Sequence, residues 1–188
     1  MKVAGTRLAG VLLIEPDVFT DERGAFLETY HASRYAEMGI DVAFVQDNVS
    51  VSKRDVLRGL HFQEPHGQIK LVTVLVGAVY DVVVDVRRGS PTFGLWMGVT
   101  LSDENRSQML VPAGFAHGFL TLSQTAVFSY KCSEIYRPQC ERTISWRDPQ
   151  LAITWPTAAP CLSLKDAAAP LLSAMPEEWL PTFSGVDR

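Results

Sequence analysis

The sequence predicts a mainly β protein, built as a sandwich or a barrel with a few short helices at its periphery. Three observations support this fold class. The middle of the chain is rich in β-branched residues, which favour strands. Turn residues interrupt it at close spacing, and the helical stretches that βαβ units require are missing between the predicted strands. The 188 residues show no internal repeat and no evident linker, so we expect one domain spanning residues 1–188.

Strands are predicted where apolar residues alternate between turns. Residues 71–76 and residues 79–86 flank Gly77 and Ala78, a pattern that predicts a hairpin. Alternation divides the second arm of this hairpin into two faces. One face carries Val79, Asp81, Val83 and Asp85, and the other carries Tyr80, Val82, Val84 and Val86, which we expect to be buried. Further strands are predicted at residues 93–101, 109–111, 118–122 and 126–132.

Two short helices are predicted outside these strands. Residues 33–38 precede Gly39, and glycine commonly ends a helix. A second helix is predicted near Ser163, because Ser163 and Asp166 match the S-x-x-[DE] capping pattern. Pro170 keeps this second helix short. Both helices are therefore expected at the periphery of a β core.

Charge and cysteine content exclude several classes of function. The formal net charge of −4 gives no generally basic surface, so we expect no nucleic-acid partner. The first residues lack the apolar core of a secretory signal, and no apolar run is long enough to span a bilayer. Three cysteines without a C-x-x-C pair indicate reduced thiols. We therefore expect a cytoplasmic protein with no membrane partner.

The segment of residues 57–63, Leu-Arg-Gly-Leu-His-Phe-Gln, places polar groups among apolar ones. Arg58 and His61 are three positions apart, so a flat strand puts them on opposite faces. Gly59 between them permits a bulge that turns both side chains toward one cavity. A lone histidine on an apolar strand is also typical of a satisfied core residue, so this segment alone does not establish a site.

A second histidine follows a turn rich in proline and glycine. Pro112, Gly114 and His117 form the pattern P-x-G-x-x-H, which resembles the second motif of the cupins, a jelly-roll superfamily. Many cupins bind a divalent metal through an H-x-H pair, a carboxylate and a later histidine. Here Gln63 stands where the second histidine of that pair belongs, and Thr121 replaces an expected asparagine. We therefore expect no metal and no other cofactor.

Two further residues suit proton transfer at a carbon next to a carbonyl. Lys70 begins a predicted strand, and Tyr130 lies on the strand that follows the His117 segment. A histidine base removes the proton, a cation stabilises the enolate oxygen, and a second acid returns a proton from the other face. A solvated strand edge for Lys70 and a core position for Tyr130 are the alternatives that composition leaves open.

Several ordered blocks of the chain resemble the dTDP-4-dehydrorhamnose 3,5-epimerases and their relatives for other deoxysugars. The blocks are residues 21–24, 44–48, 57–63, 90–94, 112–119, 128–131 and 165–170. The resemblance implies a metal-free cupin jelly roll that epimerises C3, C5 or both in a dTDP-4-keto-6-deoxyhexose. It also implies a homodimer that exchanges strands, with an N-terminal arm of about residues 1–45 at the interface.

The resemblance also implies a role for each site residue. His61 matches the catalytic base, Asp166 its carboxylate partner, Tyr130 the proton donor on the opposite face, and Lys70 the group near the C4 oxygen. The matched substrate-binding positions are Arg23, Glu28, Gln46, Asn48, Arg58, His117, Tyr136, Glu141 and Lys165. One departure is Ile69, which stands where the family commonly has glycine.

Two other functions remain open from the sequence alone. One is a metal-dependent cupin oxygenase or isomerase, and the other is a non-catalytic module that binds a nucleotide sugar. The combination of Tyr130, Lys70 and the His61–Asp166 pair favours an enzyme, because binding alone needs no acid on the opposite face. Neither the deoxysugar nor the number of inverted carbons follows from one sequence.

Overall fold

Two antiparallel sheets face each other in the computed structural model, which describes residues 1–185. The larger sheet has the strand order β1-β2-β10-β7-β12-β5, and the smaller has the order β13-β6-β11-β8-β9. A separate two-stranded hairpin consists of β3 and β4. The strands are β1 Lys2–Gly5, β2 Leu12–Glu15, β3 Val18–Asp21, β4 Gly24–Leu27, β5 Gln46–Lys53, β6 Leu57–Gln63, β7 Lys70–Val76, β8 Ala78–Asp85, β9 Trp96–Ser102, β10 Gln108–Val111, β11 Phe115–Thr121, β12 Thr125–Cys132 and β13 Glu141–Thr143.

Between β5 and β13, most consecutive strands alternate between the two sheets, which is the connectivity of a jelly roll. This confirms the mainly β, jelly-roll prediction. The helices are short and peripheral, with α1 at Ala32–Glu37 and α2 at Leu164–Ala167. Both lie within one residue of their predicted starts, and Gly39 has the positive φ of 87° expected just after a helix.

The predicted hairpin around Gly77 is wrong. Strand β7 pairs with β10 and β12 in the larger sheet, whereas β8 pairs with β9 and β11 in the smaller one. At Gly77 the chain therefore crosses from one sheet to the other. A Cβ there would lie 2.2 Å from the carbonyl oxygen of Thr125, and φ is +77°. The glycine that resembled a hairpin turn is required instead by a tight crossing between sheets.

The two faces of β8 behave as alternation predicts, although both are buried. Val79 and Val83 join the core between the sheets, together with residues of β7, β10, β11 and β12. On the other face Val82, Val84 and Val86 are fully buried as predicted, whereas Tyr80 is only half-buried and packs against their cluster. There they pack under the C-terminal segment that follows β13. The smaller sheet is thus covered on both sides, so its inner strand β8 is apolar on both faces apart from Asp81 and Asp85.

Predicted strand ends moved by up to three residues. Strand β9 begins at Trp96 rather than at residue 93, because Gly94 adopts a φ of 76° in a turn. Strand β11 begins at Phe115, so His117 lies within the strand. Within the described residues, no helix is long and apolar enough to cross a membrane. Cys132, Cys140 and Cys161 are all free thiols.

Candidate active site

A bulge in β6 brings Arg58 and His61 to the same cavity, as predicted. On the partner strand β11, His117 pairs with His61 and Phe119 pairs with Arg58, so two residues of β6 oppose Gly118 alone. Gly59 has a φ of 123°, and a Cβ on it would lie 2.6 Å from the Cα of Gly118. Only glycine fits this close contact between strands.

The imidazole of His61 is paired with a buried carboxylate. Its Nε2 atom lies 2.6 Å from Oδ1 of Asp166, whose side chain is only 4% exposed. Asp166 sits in the first turn of α2, where its backbone N–H donates to the hydroxyl of Ser163 at 3.1 Å. The predicted capping pattern and the predicted pairing with His61 are therefore both present, because the cap holds the backbone and leaves the carboxylate free for the imidazole.

The His61–Asp166 pair favours the ionised carboxylate. Burial works against the charge of Asp166, but the hydrogen bond and charge of His61 outweigh it and lower the pKa of this carboxyl. The carboxylate then accepts a hydrogen bond from Nε2 of His61. In this tautomer the other ring nitrogen, Nδ1, keeps a lone pair that can accept a proton.

Two neighbouring cavities of about 250 and 420 Å³ share His61 as a lining residue. Among residues 1–185, only His61, Lys70 and Tyr130 line both cavities. Burial lowers the pKa of Lys70 and raises the pKa of Tyr130. The tyrosine hydroxyl therefore keeps its proton at neutral pH. An imidazole, a lysine amine and a protonated phenol thus line the junction of the two cavities.

The larger cavity carries two further cations. Arg58 and Lys165 both line it, with His117 and Asp166. Nε of Arg58 donates to the hydroxyl of Ser52 at 3.0 Å, which orients the guanidinium group. Positive groups on one wall suit a phosphate or diphosphate.

Beyond the three residues shared with the larger cavity, the smaller cavity is lined mainly by amide side chains, with one carboxylate. Gln46 and Asn48 face it from the inner side of the edge strand β5, and Tyr136 and Glu141 close it. The carboxylate of Glu141 accepts bonds from Lys165 at 2.7 Å and from Tyr136 at 3.1 Å. Burial opposes its charge, yet these bonds and the nearby His61 lower the pKa of Glu141. This cluster links β13 to the helix that carries Asp166.

Two predicted binding residues lie outside both cavities of this chain. Arg23 is at the exposed turn of the β3–β4 hairpin, where it forms an ion pair with Asp21. Glu28 follows β4 and pairs with Arg34 at 3.0 Å. All other predicted site residues line one of the two cavities.

Sequence reasoning missed two residues near the site. Asp81 is fully buried behind His117, whose Nε2 lies 2.9 Å from Oδ1 of the carboxylate. Its signal was a carboxylate at an inward position of an apolar strand. Cys132 lines the smaller cavity two positions after Tyr130, so it shares a face of β12 with the tyrosine. Strand periodicity alone would have indicated it.

Comparison with known proteins identifies the family. The family model described as dTDP-4-dehydrorhamnose 3,5-epimerase matches residues 5–174. The chain belongs to this family. The 3,5-epimerase of Salmonella typhimurium is 54% identical over 175 residues, which cover 92% of this chain and 96% of that protein.

Solved structures of the epimerase family share the fold closely. That of a dTDP-6-deoxy-D-glucose-3,5-epimerase from Legionella pneumophila, in complex with dTDP-4-keto-L-rhamnose, superimposes with a TM-score of 0.94 and 52% identity. The match covers 97% of this chain and 98% of that one. A dTDP-4-dehydrorhamnose 3-epimerase from Streptomyces niveus is 44% identical over 187 residues, covering 98% of this chain and 90% of that protein. The family thus includes enzymes named as epimerases of C3 alone and enzymes named as epimerases of both C3 and C5.

Proposed function

We propose that this epimerase inverts C3, C5 or both carbons of a dTDP-4-keto-6-deoxyhexose, in the synthesis of dTDP-L-rhamnose or a related deoxysugar. The observation that carries this proposal is the convergence of His61, Lys70 and Tyr130 at the junction of two cavities. A ketone activates the carbons on both of its sides for proton removal. The chemistry therefore needs one base, one group that stabilises an enolate oxygen, and one acid.

The first half of the reaction uses the His61–Asp166 pair. The lone pair of the imidazole takes a proton from the carbon beside the C4 ketone, and the electrons of that C–H bond move to the C4 oxygen. Asp166, at 2.6 Å, fixes the tautomer and stabilises the imidazolium that forms. The ammonium of Lys70 stabilises the enolate oxygen, because a buried cation acts strongly in a low-dielectric site.

The second half of the reaction returns a proton to the opposite face. The hydroxyl of Tyr130 protonates the enolate carbon beside C4. The C4 ketone forms again, and the configuration of that neighbouring carbon is inverted. Burial, the largest influence on its pKa, keeps this phenol protonated until it is used. The base and the acid lie on different strands, β6 and β12 of opposite sheets, so they approach a bound sugar from different sides.

The nucleotide part of the substrate accounts for the remaining predicted residues. Arg58 and Lys165 suit the diphosphate, because both are cations on the wall of the larger cavity. Gln46, Asn48 and Glu141 offer hydrogen bonds in the smaller cavity, and Tyr136 offers an aromatic face to the thymine. His117 contacts the sugar from the strand beside His61.

A homodimer would supply the two residues that lie outside the cavities of this chain. The β3–β4 hairpin exposes two aromatic side chains, Phe19 at 64% and Phe26 at 70%. Exposed aromatic rings on a short hairpin favour an interface with another chain. We infer that this N-terminal arm docks on a second copy and brings Arg23 and Glu28 to its site.

Analytical ultracentrifugation tests the dimer. The wild-type protein is expected to sediment as a dimer, and Phe26→Ser to shift toward the monomer with a raised KM. Phe93→Ser is the matched control, because Phe93 is another exposed phenylalanine at 41%, outside the hairpin. A fully active monomeric wild type would contradict the inference.

The three free cysteines support a reducing compartment, so we also infer that the enzyme works in the cytoplasm.

Incubation with dTDP-4-keto-6-deoxyglucose in deuterated water, followed by NMR, tests the reaction. Deuterium at C3 and C5 identifies a double epimerase, and deuterium at one carbon identifies a single epimerase. A protein that binds the sugar without exchange would be a binding module.

The metal-dependent alternative predicts that a chelator abolishes activity. We expect no effect of the chelator, because His61 and His117 are each already paired with an aspartate.

A further inference from the structure

Strand β8 carries two fully buried carboxylates on one face, Asp81 and Asp85, with different surroundings. Asp85 accepts bonds from Arg87, Ser90 and Thr92 at 2.6 to 2.9 Å, and these bonds hold the following loop in place. Within residues 1–185, the carboxylate of Asp81 has one hydrogen-bond partner, His117, whose Nε2 lies 2.9 and 3.0 Å from its two oxygens. A buried carboxylate with so few donors is costly to the fold.

Asp81 lies directly behind the reacting groups. His117 pairs with His61 across β11 and β6, and it lines the larger cavity together with Lys70. Asp81 itself lines neither the larger nor the smaller cavity. It therefore acts on a bound sugar through its hydrogen-bond partner His117 and, by its charge, through Lys70.

We propose that Asp81 is a positioning residue for epimerisation, which fixes the ring of His117 in one tautomer and keeps Lys70 charged beside the enolate oxygen. The proposal rests on the proposed function. Donation from Nε2 to Asp81 leaves Nδ1 as the remaining polar atom of the His117 ring. Burial raises the pKa of the Asp81 carboxyl, and the charge and hydrogen bond of His117 and the charge of Lys70 oppose that rise. The carboxylate form of Asp81 in turn offsets the cost of desolvating the ammonium group of Lys70.

The groups around Lys70 give the direction of the pH effect. Burial lowers the pKa of Lys70, and Cys132 on β12, Glu141 on β13 and Asp81 on β8 oppose that effect. Burial raises the pKa of the Cys132 thiol, so it is uncharged at neutral pH. Glu141 already binds Lys165. The cavity groups His61, Tyr130 and His117 supply no negative charge at neutral pH. Removal of the Asp81 charge therefore lowers the pKa of Lys70 further.

The test compares variants by their pH profiles. Asp81→Asn keeps the shape of the side chain and removes its charge. It is expected to lower kcat about 10- to 100-fold, as loss of an orienting carboxylate does elsewhere. The alkaline loss of activity should move to lower pH by about one unit, because an opposite charge near a titrating group has an effect of this size. Asp81→Glu retains the charge, so its alkaline limb should stay in place.

Asp85→Asn is the matched control, because this residue is equally buried on the same strand and face. It should lower the thermal stability and leave the alkaline limb unmoved. If the wild type is active and Asp81→Asn loses its activity at the same alkaline pH as the wild type, the inference about Asp81 is overturned and the proposed function still stands. A wild-type protein that catalyses no exchange would overturn the proposed function and the inference with it.

A second measurement decides the matter if Asp81→Asn does not fold. NMR of the wild-type protein with carbon-13 at the lysine ε position reports the charge of Lys70, and Lys70→Arg assigns its signal. A charged Lys70 at neutral pH supports the inference. A neutral Lys70 would overturn it.

Discussion

Nε2 of His61 and Oδ1 of Asp166 lie 2.6 Å apart, although 105 positions separate the two residues in the chain. His61 is fixed in the middle of a seven-residue strand, and Asp166 is fixed by the capped first turn of a four-residue helix. Both partners are therefore held by backbone structure rather than by flexible loops. The imidazole of His61 is thus oriented without a bound substrate.

Asp166→Asn should keep the shape of the site and lose its function. The amide cannot stabilise the imidazolium and can hold the wrong tautomer, so we expect kcat to fall about 10²- to 10⁴-fold, as in other histidine–aspartate sites. Steady-state kinetics and a thermal melt measure the two effects separately. Asp41→Asn, an exposed carboxylate without a role in the site, is the control. Activity of Asp166→Asn within about threefold of wild type would refute the orienting role.

Gly59→Ala should damage the site through the backbone. The new Cβ would lie 2.6 Å from the Cα of Gly118 and 2.8 Å from the carbonyl oxygen of His117. The positive φ adds about 1–3 kcal/mol of strain, and overpacking adds about 1–3 kcal/mol. Chemical denaturation should therefore show a lower free energy of unfolding, together with reduced activity.

Gly5→Ala is the control for the bulge. Gly5 also lies in a strand, but no atom lies within 4 Å of the position that its new Cβ would take, and its φ is ordinary. Its stability should stay close to that of wild type. Equal stabilities of the two alanine variants would show that the bulge does not require glycine.

Val84→Asp should abolish soluble folding. Val84 is fully buried under the C-terminal segment. Burial of such a side chain contributes about 1.5–3 kcal/mol, and an unpaired buried charge costs several more. Thr100→Asp is the control, because Thr100 is an exposed residue on the neighbouring strand β9. Normal expression and thermal stability of Val84→Asp would refute the assignment of this strand face.

Local patterns predicted much of the fold and of the site. Alternation on β8 separated its two faces, Gly59 indicated the bulge that brings Arg58 and His61 together, and Ser163 indicated the start of α2. Each of these features depends on residues only a few positions apart. The pairing of His61 with Asp166 came from the family resemblance, because no local pattern joins such distant residues.

Other features depend on long-range contacts that local patterns do not contain. Gly77 has the composition of a hairpin turn, and only the pairing of β7 and β8 with other strands reveals a crossing between sheets. Alternation assigned Asp81 to the face of β8 opposite the one expected to be buried, and only the structure shows its side chain against His117. Arg23 and Glu28 lie away from the cavities of one chain, and the proposed dimer would bring them to the site of a second chain.

The most direct test of the central claim is a comparison of deuterium exchange with inversion in Tyr130→Phe. This variant keeps the base and loses the acid on the opposite side. One NMR experiment in deuterated water, with dTDP-4-keto-6-deoxyglucose, measures both rates. We predict exchange beside the ketone with little inversion, since the proton can return only from the face of His61, and neither process in His61→Ala. Full epimerisation by Tyr130→Phe, or undiminished exchange by His61→Ala, would contradict the division of roles between base and acid.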